Sequence, residues 1–158
     1  MVYVLDTNIF RKLLDHFPKK GKAFEDIWTA IDEGISKKSL ISVDECFNEI
    51  ANHYSPDSPN FKWMKQRKGM FLPPTNKESL LLKELFQKSK MQESIHTKNI
   101  LGNRPSADVY LAAKAKVLNA TLVTSELYKP HSAQLPNICE ELGISYISYD
   151  DFIEILSQ

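Results

Sequence analysis

Four carboxylates carry most of the chemistry this sequence can offer: Asp6, Glu49, Asp108 and Glu126. Asp6 closes a short apolar run at residues 2–5. Glu49 falls about one and a half turns into the helix expected after a second apolar run at residues 40–43. Asp108 lies in the first turn of the helix that precedes a third run, at residues 121–124, and Glu126 comes two residues after that run. In an open parallel sheet, ligands bind beyond the carboxyl ends of the strands. Acids spread over about 120 residues of chain can therefore meet in one cleft.

Packed carboxylates repel one another and hold protons unless a cation neutralises them. An all-oxygen donor set without His or Cys suits Mg²⁺ or Mn²⁺ and not zinc or copper. Mg²⁺ keeps several waters and presents one of lowered pKa to a phosphate, so phosphodiester hydrolysis with one or two ions is the expected reaction class. Each acid also has a plainer reading. Asp108 complements the positive end of its helix, and Glu126 serves as an ordinary loop residue. Glu49 has rivals in Asp44 and Glu45, the latter four residues earlier on the same helix face. Asp6 is harder to explain away, because an acid ending a buried apolar strand loses hydration and needs a cation or donors.

The elements that must position these acids follow from the apolar pattern. Strands are expected at residues 2–5, 40–43, 121–124 and 144–147, each a compact run rich in β-formers. Helical spacing covers residues 8–16 and 23–35, then 44–53 with Asp44 as the expected N-cap. Residues 60–100 carry two helical stretches separated by Phe71, Leu72, Pro73, Pro74 and Thr75. Helices at 107–118, 138–142 and 151–156 complete the chain. Strands alternating with helices imply right-handed parallel crossovers, hence an α/β fold: a three-layer α/β/α sandwich in a single domain spanning residues 1–158.

Twenty Lys and Arg balance twenty Asp and Glu, which argues against coating nucleic acid or a membrane by bulk charge. The sum hides an uneven distribution. Residues 57–104 hold ten bases and four acids, whereas residues 130–158 hold five acids and no base. Lys62, Lys65, Arg67, Lys68 and Arg104 of the basic middle are candidates for contact with a phosphate backbone. Cys46 and Cys139 form no CxxC pair, and the four histidines no metal-spaced pair, so a reduced cytoplasmic setting is expected. There is no signal-peptide pattern and no apolar window long enough to span a membrane.

The segments VYVLDTNIF, ISVDECFNEI and SADVYLAAKAKVLNATLVTSE resemble, in order, the blocks of PIN-domain nucleases. The last of them, followed by LPNICEELGISYISYDDFIEIL, is similar to a PIN-like subgroup related to VapC toxins. The resemblance spans nearly the whole chain. It implies a metal-dependent endoribonuclease on a parallel sheet, with Asp6, Glu49, Asp108 and Glu126 as catalytic metal ligands. It also implies that Asn8 orients the first acid and that Thr124 stands beside the metal pocket. Position 126 departs from the family, which more often has Asp there. The resemblance further implies an RNA substrate, a cognate antitoxin and a homodimer. A receiver domain would need neighbouring acids after the first strand, and a haloacid dehalogenase phosphatase an acid where Asn8 stands. The remaining rival is a PIN-like module that binds RNA or protein with a weakened metal site.

Overall fold

The apolar runs pair as parallel strands. In the computed structural model, which describes residues 1–87 and 107–158, they form one five-stranded sheet of order β3-β2-β1-β4-β5. The strands are β1 (Tyr3–Leu5), β2 (Leu40–Val43), β3 (Phe71–Leu72), β4 (Thr121–Val123) and β5 (Tyr146–Ile147). Between them run α1 (Thr7–His16), α2 (Lys22–Ser36), α3 (Asp44–Ala51), α4 (Pro59–Gln66), α5 (Asn76–Leu85), α6 (Ala107–Leu118) and α7 (Leu135–Leu142). Helix α8 (Tyr149–Leu156) follows the last strand. β1 is paired on both sides, Tyr3 with Leu40 and Thr121, Val4 with Ile41 and Leu122. A strand flanked on both edges and covered on both faces must be apolar throughout, and Val4 and Leu5 are fully buried.

Helix α6 lies across β1, β2 and β4 with α5 and α7 beside it, while α2 packs on β2 and against α8. The ring of Phe152 on α8 meets Tyr3 of β1 at 6.1 Å between centroids. Helices α1 and α3 pack together near the β3 edge, where Phe10 and Phe47 both contact Phe71, at 5.0 and 5.3 Å. This is the expected three-layer sandwich. The chain builds outward from β1 through β2 to β3, then returns to the opposite side of β1 with β4 and β5. That reversal puts the topological switch point, the natural mouth of a ligand cleft, between the carboxyl ends of β1 and β4.

Some element boundaries differ from the sequence expectation. Phe71 and Leu72, expected only as a break between helices, form the edge strand β3. Two residues are too few to show a period, and what holds them is parallel pairing with Ser42 and Val43 of β2 together with ring packing against α1 and α3. Asp44 is the first residue of α3 and Val43 its N-cap. Helix α7 starts at Leu135, three residues before expectation, because Pro136 fits the first turn of a helix. Gly143 ends it at φ 70°, a left-handed position that favours glycine. Helix α8 starts at Tyr149, capped by Ser148, whose Oγ accepts from the Asp151 N–H at 3.1 Å. The expected helical stretch beyond residue 87 and Arg104 lie outside the described residues.

One buried ion pair ties α5 to α6. Lys114 and Glu78, each 2% exposed, meet at 2.7 Å. Glu78 also completes a capping box with Thr75 at the start of α5. Among the described residues no helix is long and apolar enough to cross a membrane.

Candidate functional site

Parallel pairing sends every strand's carboxyl end to the same edge, and each helix that follows a strand starts there. A helix leading into a strand runs antiparallel to it, so the N-terminus of α6 also points to that edge. The four acids converge for this reason. Asp6 is the N-cap of α1, with its Oδ1 accepting from the Thr7 N–H at 2.7 Å. Its Oδ2 accepts from Thr124 Oγ1 at 2.8 Å, and its own N–H donates to Val123 O across to β4. Asp108 is buried in the first turn of α6. Glu49, exposed on α3, receives a hydrogen bond from Thr7 Oγ1 at 2.6 Å on one oxygen and from Ala107 N–H at 3.2 Å on the other. Glu126 reaches from the loop after β4 to the Leu135 N–H at 2.8 Å, the first residue of α7.

The acids thus lean on three helix N-termini: Asp6 on α1, Glu49 on α6 beside Asp108, and Glu126 on α7. Unpaired N–H groups and the helix dipole supply partial positive charge there. That charge does not settle the cluster. Asp6 is only 5% exposed, and burial, then Asp108, then Glu126 push its carboxyl up to about 8, against the hydrogen bonds from Thr124 and Thr7 that hold it back. A second group reports the same field. Burial pushes the Cys139 thiol up to about 12, reinforced by Asp108, Asp6 and Glu126. The Cys46 thiol is raised by burial first and by Asp6 and Glu49 after it. Two buried, protonated thiols are inert packing here and not nucleophiles.

The donor set suits a hard divalent cation: it is oxygen only, and burial, reinforced by Asp108 and Glu126, holds a proton on Asp6 near neutral pH. As the side chains lie, no three His, Cys, Asp or Glu groups among the described residues stand close enough to share one ion. Glu49 and Glu126 are drawn instead to the helix N–H groups.

The supporting residues divide. Thr124 is buried against Asp6, and its Oγ1 also accepts from the Glu126 N–H at 3.1 Å, so one hydroxyl links two of the acids. Asn8 grips the neighbouring loop: its Oδ1 accepts from the Ser125 N–H at 3.2 Å. Of the basic candidates, Arg67 is committed to a forked ion pair with Asp32 on α2, at 2.7 and 3.1 Å, and stacks on Trp63. Lys68 stands 5.2 Å from the centre of the Phe47 ring, while Lys62 and Lys65 are exposed on α4. Sequence reasoning passed over Thr7, which holds Asp6 through its N–H and Glu49 through its hydroxyl. The signal was present in the DTN triplet, where a hydroxyl directly follows the strand-closing acid.

A family model for a domain of unknown function matches residues 3–157. Comparison with curated proteins gives no match. Among solved structures, the chain resembles VapBC2 from Rickettsia felis bound to a promoter DNA fragment, at 15% identity, covering 94% of this chain and 98% of the other with a TM-score of 0.50. VapBC-1 from nontypeable Haemophilus influenzae gives 17%, 95%, 99% and 0.51. FitAB bound to an IR36 DNA fragment gives 15%, 94%, 95% and 0.50. At such identities the likeness is one of fold, and the fold is that of VapC-like PIN domains.

Proposed function

The chain belongs to the family described as Domain of unknown function (DUF4411), and we propose that this member is a metal-dependent endoribonuclease acting as the toxin of a toxin–antitoxin module. The observation that carries the reading is Asp6: buried at the switch point, pushed up to about 8 by burial, Asp108 and Glu126, and held by two donors. A structural acid would be expected to find a cation partner, as Glu78 does in Lys114. The fold likeness to VapBC and FitAB structures supports a cytoplasmic module with a cognate antitoxin, and a homodimer is the assembly we expect.

Asp6, Glu49, Asp108 and Glu126 are the residues that would hold one or two Mg²⁺ or Mn²⁺ ions. Bound there, such an ion supplies neutralising charge for carboxylates and phosphate and a water of lowered pKa. The chain's own part is positioning. Thr124 and Thr7 fix the Asp6 oxygens, so that its lone pairs are oriented before any ligand arrives. Thr7 and the α6 N-terminus hold Glu49, and Asn8 fixes the loop that carries Glu126. Lys62, Lys65, Lys68 and Arg104 of the basic middle, with Arg67 bracing α4, are candidates for contact with the RNA backbone.

The test is cleavage of labelled RNA with and without Mg²⁺ or Mn²⁺, by the parent and by Asp6→Asn. Metal-dependent cleavage by the parent alone, leaving 5′-phosphate and 3′-hydroxyl ends, is expected. A 2′,3′-cyclic phosphate would mean attack by the RNA's own 2′-hydroxyl and would sink the mechanism. The capping roles of Glu49 and Glu126 favour a second reading, a PIN-like binding module without catalysis. RNA binding with no metal-dependent cleavage would establish it.

A further inference from the structure

The exposed face of α1 begins where the acids end. Asn8, Arg11, Lys12, Asp15 and His16 recur at helical spacing and line an open groove of about 230 Å³. The opposite face, Ile9, Phe10, Leu13 and Leu14, is buried in the core. Because Asp6 is the N-cap of this same helix, Arg11 and Lys12 stand only about 8 Å further along its axis. At the near end of the groove, Asn8 accepts from the N–H of Ser125, the residue before Glu126. At its side, Lys12 Nζ lies 5.1 Å from the centre of the Tyr149 ring.

Two buried polar atoms have no hydrogen-bond partner among the described residues, Ser125 Oγ and the Tyr149 hydroxyl. Both belong to residues that touch the groove lining, Ser125 through Asn8 and Tyr149 through Lys12. Asp15, the acid in the lining, is occupied by the Tyr54 hydroxyl at 2.7 Å, which moderates its repulsion of an anion.

We infer that this face of α1 is a groove for the phosphate backbone of single-stranded RNA, with Arg11 and Lys12 seating phosphates beside the one that is cut. The inference rests on the nuclease reading and adds where the substrate runs. A guanidinium fork and an ammonium next to a neutral amide suit phosphate oxygens. Continuity with the acids favours a polymer that must enter that cleft over an acidic protein segment docking from outside.

The experiment measures steady-state cleavage of 5′-labelled single-stranded RNA of random sequence in Mg²⁺, and its binding by anisotropy in Ca²⁺ across a salt series. Arg11→Ala with Lys12→Ala should raise KM roughly tenfold and leave kcat within about twofold. The slope of log K against log salt should shrink by about 1.4, from about 0.7 per lost contact. Lys77→Ala with Lys83→Ala on α5 should change neither, and Arg11→Lys with Lys12→Arg should restore both. Unchanged KM and salt slope in a parent that cleaves would overturn the groove and leave the nuclease reading standing. A parent that neither binds nor cleaves RNA would overturn both. A double variant that cleaves RNA normally but loses binding to a polyglutamate peptide would overturn the groove in favour of a protein-docking face.

Discussion

Among the described residues, two places bury ionisable groups, and they are resolved in opposite ways. Between α5 and α6, Glu78 and Lys114 neutralise each other at 2.7 Å, and Thr75 completes the carboxylate's hydrogen bonds. At the carboxyl edge of the sheet, Asp6 is buried against Asp108 and Glu126, and its own carboxylate is held by the Thr124 hydroxyl and the Thr7 N–H. The first arrangement is a finished structural joint. The second keeps an electrostatic demand that a divalent cation would meet, as the proposed nuclease reading requires.

The strongest way to separate the two is by substitution. Asp6→Asn should reduce RNA cleavage roughly a thousandfold or more while the protein stays folded, as read by labelled-RNA cleavage beside thermal melting. Lys114→Ala should do the reverse. It leaves Glu78 buried without its partner, so it should cost about 3 to 5 kcal/mol in urea unfolding. Lys114→Met with Glu78→Leu should recover most of that loss, apart from about 1 kcal/mol for the capping box. If Lys114→Ala were as stable as the parent, the joint would not be structural.

Metal and pH should act at one place only. At a hundredfold over its dissociation constant, Mg²⁺ or Mn²⁺ should stabilise the parent by about 2.7 kcal/mol. Lys114→Met with Glu78→Leu should show the same increment and Asp6→Asn a much smaller one; an equal shift in Asp6→Asn would place the metal elsewhere. Without metal, the Asp6 carboxyl titrates at about 8 in the folded chain against 3.8 for an unperturbed aspartate. The folded state therefore binds the extra proton between those values, and stability should fall as pH rises from about 4 to about 8, then level off. Melting in a chelator across that range should show the fall in the parent and a flatter profile in Asp6→Asn. The smallest effect is expected from Thr124→Val. Loss of one hydroxyl donor should cost about 1 kcal/mol at neutral pH and move the Asp6 midpoint upward.

Much of this was legible in the chain. The runs at 2–5, 40–43 and 121–124 mark β1, β2 and β4 because a parallel strand covered on both faces is mostly apolar, and the stretch 144–147 marks the half-buried edge strand β5. The positions of the four acids relative to those runs pointed to one edge of the sheet. β3 was not legible: Phe71 and Leu72 carry no period, and only their pairing with β2, with the rings of Phe10 and Phe47 packed on Phe71, makes them a strand. The double role of Thr7 was equally hidden, because Glu49 is 42 residues away and meets it only once β1 and β2 are paired. Arg67 read as part of a basic stretch, yet its guanidinium is spent on Asp32, a partner fixed by how α4 packs on α2.

By itself, then, the sequence determined the layered α/β class, the strand-closing acids and an oxygen-only donor set, because these depend on local hydrophobic pattern and residue type. The tertiary structure alone decided which charges are satisfied. It paired Lys114 with Glu78, turned Glu49 and Glu126 toward helix N-termini, and left Asp6 facing two other acids. It also set a groove lined by Arg11 and Lys12 on the helix that Asp6 caps. The physical reason is that burial and Coulomb energy are properties of positions in space, and residues distant in sequence acquire those positions only when the sheet forms.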